Sequence, residues 1–222
     1  MFIGHYAPAL VAAVHPRAPR LGALFAAAQL VDLAFFSLAL VGVERFRLVP
    51  QATTTNALDL YHMPYTHSLL GTLGFAAAWA VGTRLLRGRP ATAWVGAAVV
   101  ASHWLLDWLV HAPDLTLLGS GPRHGLGLWN WPLIEMPLEL ALVTLALVFY
   151  ATRRKARGWG GHFSLLILAI TLLSVQLINW LEPQPGAIVD PPPASTSLLA
   201  LGVYLVLAAL AAWCASTRSR TV

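Results

Sequence analysis

The chain has 222 residues, 58% of them apolar and 10% charged, with a mean hydropathy of +0.68 and a formal net charge of +5. Soluble domains carry about 25% charged residues, so this one lacks the polar atoms to cover itself in water and reads as an integral membrane protein. The same figures exclude disorder and a collagen-like chain, and a lone Cys214 excludes an internal disulfide.

A helix needs about 20 apolar residues to cross about 30 Å of hydrocarbon. The first 14 residues are apolar but too short, and no Lys or Arg precedes them. They are expected as a half-helix dipping into the membrane or lying on it, rather than as a cleavable signal. Six later stretches have the length: 21–43, 66–86, 91–111, 131–151, 162–181 and 196–215. None shows the strict alternation of a barrel strand. The expected fold is all-α, a polytopic membrane helix bundle of about six transmembrane helices plus the amino-terminal half-helix. Residues 1–222 form one transmembrane domain on this reading, with a site-bearing part at 1–151 and a two-helix scaffold or lid at 162–215.

Lys and Arg resist translocation, so they orient the bundle. Eleven of the fourteen fall on one side: Arg17 and Arg20, Arg84 to Arg89, Arg153 to Arg157, and Arg218 with Arg220. The other side keeps Arg45, Arg47 and Arg123. Both termini are therefore expected in the cytoplasm of a bacterial-type inner membrane, with loops 44–65, 112–130 and 182–195 outside. Trp108, Trp129, Trp131 and Trp180 mark the outer interface, and Trp94, Trp159 and Trp213 the inner one. The basic residues are dispersed over short loops, which excludes a nucleic-acid surface and leaves the lipid bilayer as the partner.

Charged groups at the bilayer centre are costly, so intramembrane ionisable residues point to function. His5, Asp32, His67, His103, Asp107, His111, Glu135 and Glu139 all fall within apolar segments, and Asp59 and His62 lie just outside. At about 1.5 Å per residue, His5 and Asp32 each stand about 18 Å from Arg17 and Arg20, His103 about 20 Å from Pro90, and Glu139 about 21 Å from Arg153. Distant segments thus deliver polar groups to one depth. His103 and Asp107 are one turn apart on one helix face, and Glu135 and Glu139 repeat the spacing near Pro132 and Pro137, where the helix is expected to loosen. Imidazole with carboxylate suits Zn²⁺ or a similar first-row divalent ion, Mn²⁺ and Fe²⁺ included. The alternative is structural pairing of Asp107 with His103, which also satisfies both groups in lipid.

The run His62-Met63-Pro64-Tyr65-Thr66-His67-Ser68, the early Gly4-His5, Asp32, and Ser102-His103-x-x-Leu106-Asp107 occur in the same order as the motifs of a known family. Over residues 1–115 the chain resembles the inner-membrane metal-dependent hydrolase-like proteins, the LexA-binding type. Met63 replaces that family's Arg, and Asp32 stands where it carries a Pro-Asp-x-Asp pair, so Asp59 or Glu135 would have to supply an acidic ligand. The resemblance implies a divalent-metal site and hydrolysis. No docking surface for LexA reads from the residues.

The preferred expectation is a metal-dependent hydrolase of an ester or phosphoester in a lipid or lipid-linked substrate. Its metal ligands would be His5, Asp32, His67, His103, Asp107 and His111. Glu135 or Glu139 would be general base or orienter, and His62 a helper for proton transfer or a second metal. Ser68 is not expected to be a nucleophile, since no Gly-x-Ser-x-Gly elbow surrounds it. Two other readings use the same polar band: a transporter or permease, and an accessory subunit of a larger membrane complex. Gln29-Leu30-Val31-Asp32 and Gln176-Leu177-Ile178-Asn179 form a faint internal echo.

Overall fold

Ile3, Tyr6, Ala9 and Leu10 have no exposed surface, so the amino-terminal segment plugs the centre of the bundle. The expectation that it lies on the membrane is corrected: its apolar residues point in every direction and need protein on all sides. The structure is a computed structural model, and it describes residues 1–219; Arg220, counted above among the inner basic residues, lies outside the described residues.

After a 3₁₀ turn at Ile3–His5 comes α1 (Tyr6–Ala12), then α2 (Leu21–Ala28) and α3 (Leu30–Leu40), which meet at a 53° bend. The bend replaces the straight span expected over 21–43. No proline causes it. At its corner the Ala28 carbonyl accepts from His103 Nδ1 at 2.8 Å, and Gln29 Nε2 donates to the Phe2 carbonyl at 3.3 Å. A side chain inserted at a helix ladder is a known cause of kinking.

Two strands follow, β1 (Arg45–Leu48) and β2 (Leu58–His62), paired antiparallel. Next come α4 (Leu69–Leu85), α5 (Pro90–Val110), a second two-stranded ribbon of β3 (Leu115–Thr116) and β4 (Arg123–His124), α6 (Pro132–Arg153), α7 (Gly158–Leu181) and α8 (Ala194–Ser216). The four short strands were not legible as strands in the outer loops. Helices α5 to α8 are each long and apolar enough to cross a membrane, and the bent pair makes a fifth candidate. The expected count of six is corrected at α4. It has only 17 residues, because Thr66, His67 and Ser68 stay extended and Ser68 Oγ caps the helix by accepting from Gly71 N at 3.0 Å. Pro132 opens α6 and Pro137 sits in its second turn without breaking it.

Of the four long helices α5 is the best covered, half of its apolar window being buried, while α7 and α8 bury 22% of theirs. Leu133 and Trp159 are about nine-tenths exposed, which only lipid makes tolerable. The protein is thus an all-α, multi-pass membrane helix bundle. Helix α2 packs mainly on α8, α4 on α5, and α1 on α6. A second apolar cluster of Phe35, Phe36, Phe46, Leu60, Trp104 and Tyr204 ties α3, α5 and α8 to the first ribbon. It roofs the polar residues described next.

Candidate metal centre

Each polar side chain at the heart of the bundle is anchored through one atom and aims another at a common point. His103, on α5, gives its Nδ1–H to the Ala28 carbonyl, which leaves a lone pair on Nε2. His67 lies in the extended segment before α4. Its Nδ1 is 2.9 Å from Thr66 Oγ1, and that hydroxyl donates to Glu44 Oε2 at 2.6 Å, so it accepts the His67 proton and again frees Nε2. Asp32, in the first turn of α3, accepts from the Tyr204 hydroxyl on Oδ2 at 3.3 Å and turns Oδ1 inward. Asp107 is held on Oδ1 by His5 Nε2 at 2.9 Å and by the Met1 amino group at 3.1 Å, which leaves Oδ2 inward.

The four inward atoms lie close together. Asp32 Oδ1 is 3.3 Å from His67 Nε2 and 3.5 Å from His103 Nε2; Asp107 Oδ2 is 3.7 and 3.0 Å from the same two nitrogens. Ligand bonds of about 2.0–2.2 Å in a tetrahedron give edges of about 3.3–3.6 Å. These four His–Asp edges bracket that range, and the donors that lie mutually within 4.8 Å form two groups that share His103: His67, His103 and Asp107, and His5, Asp32 and His103. His103 Nε2 and Asp107 Oδ2 are both buried and neither has a hydrogen-bond partner, although they face each other. Buried polar atoms are nearly always satisfied, so two opposed orphans mark a place for a third atom. The donor set, two imidazoles and two carboxylates, fits a divalent cation and suits Zn²⁺ best, with Mn²⁺ or Fe²⁺ also compatible.

The six residues expected as ligands are thereby divided. His67, His103 and Asp107 form one close group, and Asp32 joins it through the two histidine nitrogens. The His5 ring stacks on His103 at 3.9 Å, and His5 also falls within ligand reach of Asp32 and His103, but its Nε2 points at Asp107 Oδ1. His111 follows the end of α5 with Nε2 3.5 Å from the same Oδ1, its Nδ1 against Asp114 Oδ1 at 2.9 Å and its ring on Trp129. These two orient Asp107.

Glu139 accepts the N–H groups of Phe2 and Gly4 on Oε1, at 2.6 and 2.9 Å, and the Gln176 amide on Oε2 at 3.1 Å. It is a clamp on the amino-terminal turn, not a base facing the centre. Gln176 Oε1 accepts from Ile3 N at 3.3 Å, so both glutamines of the faint sequence echo grip the same turn. Glu135, one turn earlier, is buried with Oε2 unpartnered. His62 is corrected: it is exposed at the end of β2 outside the cluster, although it shares a strand face with buried Leu60, because the core that covers Leu60 does not reach the strand's last residue. Asp59, considered as a replacement ligand, instead pairs at the surface with Arg47 at 2.7 Å, which holds that guanidinium above its ordinary range.

Sequence reasoning passed over Glu44. It is fully buried and receives Tyr65 N, Thr66 N and the Thr66 hydroxyl, which fixes the segment that carries His67. Its only signal is an acid beside Arg45 at the end of an apolar stretch. Next to the cluster, His62, Asp114, Thr116, Ser120 and Arg123 line a cavity of about 290 Å³. Asp114 connects it through His111 to Asp107.

No known family model matches the chain, and no solved structure matches it. Over 171 residues it is 29% identical to the threonine/homoserine exporter RhtA of Escherichia coli strains K12, CFT073 and O157:H7, covering 70% of this chain and 53% of the exporter. The chain thus spans about half the length of the curated relatives it matches. The likeness and the apolar helices agree on a multi-pass protein of a bacterial inner membrane.

Proposed function

We propose that Asp32, His67, His103 and Asp107 hold a divalent cation inside the membrane, and that the protein uses it to hydrolyse an ester or phosphoester of a lipid or lipid-linked substrate. The observation that carries the cation is the pair of buried, unpartnered atoms His103 Nε2 and Asp107 Oδ2, 3.0 Å apart, with His67 in the same close group and Asp32 Oδ1 3.3 to 3.5 Å from the two histidine nitrogens. The hydrolytic use rests on the resemblance of residues 1–115. A bound ion of this kind polarises a substrate oxygen and makes a coordinated water acidic enough to attack near neutral pH.

The chain's own residues supply the rest. Tyr204, Thr66, the Ala28 carbonyl and His5 keep the four donors turned inward. The Asp114–His111 pair leads from Asp107 to the adjoining cavity and gives a proton a way out. At that cavity Arg123 and His62 are placed to meet an anionic part of a substrate. Glu135, with a free oxygen, is the remaining candidate for a base.

A second reading has an observation of its own: the curated relatives are exporters. On that reading the chain moves a solute such as an amino acid, and the His–Asp cluster binds the ion or proton that drives it. Sequence similarity favours transport, and the donor geometry favours a retained cation. Metal analysis of the purified full chain separates the two. Hydrolysis predicts about one ion per chain, lost in His103→Ala and Asp107→Asn, together with ester cleavage in liposomes. A metal-free wild type that carries threonine or homoserine across a proteoliposome membrane overturns the hydrolase reading.

A further inference from the structure

Asp107 presents a different oxygen to each of two stacked histidines. The His5 and His103 ring centroids lie 3.9 Å apart, with the planes within 6° of parallel. His103 Nε2 is 3.0 Å from Asp107 Oδ2, and His5 Nε2 is 2.9 Å from Asp107 Oδ1. A carboxylate approached in this way by two parallel imidazoles has the form of a bridge between two ions, one on each oxygen. The ring spacing also falls in the range of about 3.5–4 Å that separates the ions of two-metal hydrolytic sites.

The Oδ1 side has a further donor. Asp114 Oδ1 accepts the Nδ1–H of His111 at 2.9 Å, which directs the His111 Nε2 lone pair at Asp107 Oδ1, 3.5 Å away. A carboxylate behind the far nitrogen is the usual support of a metal-bound imidazole. His5 Nδ1 is buried without a partner, so the ring proton can pass to it from Nε2 without breaking a second hydrogen bond, and Nε2 then turns from donor to ligand. His5 lies within ligand reach of Asp32 as well. The Met1 amino group contacts Oδ1 at 3.1 Å, so an ion on this side displaces that contact and binds more weakly than one on the Oδ2 side.

We infer that the centre takes a second divalent cation, held by His5, His111 and Asp107 Oδ1, with Asp107 bridging it to the first. The inference rests on the proposed cation at Asp32, His67, His103 and Asp107. With the second ion bound, the Asp114–His111 pair supports a ligand instead of leading a proton outward. The test is titration of the metal-free full chain in detergent with Zn²⁺, followed by calorimetry and metal analysis, and with Mn²⁺, followed by electron paramagnetic resonance. Wild type is expected to take up about two ions per chain, one tightly and one more weakly, and saturating Mn²⁺ to give the spectrum of a spin-coupled pair. His5→Gln and His111→Gln should each keep the tight step and lose the weak one, with uptake falling from about two ions to about one and only isolated Mn²⁺ in the spectrum. Saturation of wild type at a single ion overturns the inference and leaves the first cation standing. So does a second Mn²⁺ magnetically isolated from the first, or a weak step that both variants keep, since the second ion then lies elsewhere. Uptake of no ion at all overturns both cations. Where a variant fails to fold, the wild-type spectrum decides by itself.

Discussion

Gly71 sits so tightly on Tyr65 that a Cβ placed on it would overlap the Tyr65 carbonyl oxygen. The two residues close the loop that leaves Thr66, His67 and Ser68 outside α4, so the position of His67 depends on a missing side chain. Gly71→Ala is expected to displace that loop, costing about 1–3 kcal/mol and lowering metal occupancy. Gly74, on the same helix, has open space where a Cβ would go. Gly74→Ala should be neutral or stabilising by up to about 1 kcal/mol, because alanine loses less backbone entropy in a helix. Thermal unfolding in detergent with parallel metal analysis checks both, and equal effects would show that the loop does not position His67.

Thr66 stands between Glu44 and His67 as donor to one and acceptor from the other. Groups that fix the far nitrogen of a ligating histidine set its tautomer and direction, and their loss costs about 10–100-fold in metal affinity. Thr66→Val keeps the shape and removes the hydroxyl, so it should weaken the metal by that factor with the fold intact, whereas Thr66→Ser should restore affinity. Competition with a calibrated chelator measures this. An unchanged affinity in Thr66→Val would place His67 outside the coordination sphere.

What the residues made legible follows from what periodicity and length encode. The long spans α5 to α8 were readable because lipid demands about 20 apolar residues, and His103 with Asp107 because one helical turn separates them. Counting the rise along the helices placed His5, Asp32, His103 and Glu139 at one level; the structure brings the first three within ligand reach of one another, while Glu139 turns to the amino-terminal turn. The bend at Gln29 was not legible: an isolated glutamine is no helix breaker, and its cause is His103, 75 residues away. Glu44 and the buried turn at Ile3–His5 were missed for the same reason, since their partners are tertiary. His62 misled because sequence adjacency to His67 hides a change from strand to loop between them.

Glu139 joins α6 to the amino-terminal turn through two backbone N–H groups and to α7 through Gln176. Glu139→Ala leaves those buried donors without an acceptor, each uncompensated group costing about 1–3 kcal/mol. The expected result is a clear drop in melting temperature, with Glu139→Gln intermediate because one amide oxygen still accepts. Gln176→Leu should fall between wild type and Glu139→Ala, since it removes only the Ile3 contact and the second anchor of Glu139. If Glu139→Ala abolished turnover but left the melting temperature unchanged, the residue would be acting at the reaction centre and not as a clamp.

Removal of the cation gives the sharpest separation between a metal centre and structural pairing. An ion that binds only the folded chain stabilises it by about 4 kcal/mol when present at 1,000 times its dissociation constant. Without it, the Asp32 and Asp107 carboxylates crowd the same two nitrogens, and the Met1 amino group offsets charge on Asp107 alone of the two. Chelation should therefore lower the melting temperature of wild type, and Zn²⁺ should restore it. Asp107→Asn removes one negative charge and one donor, so its melting temperature should no longer respond to chelator or to Zn²⁺, even if it starts below that of wild type. A wild type indifferent to both reagents would mean that the histidines and aspartates satisfy one another, and the cluster would then be a polar brace between helices.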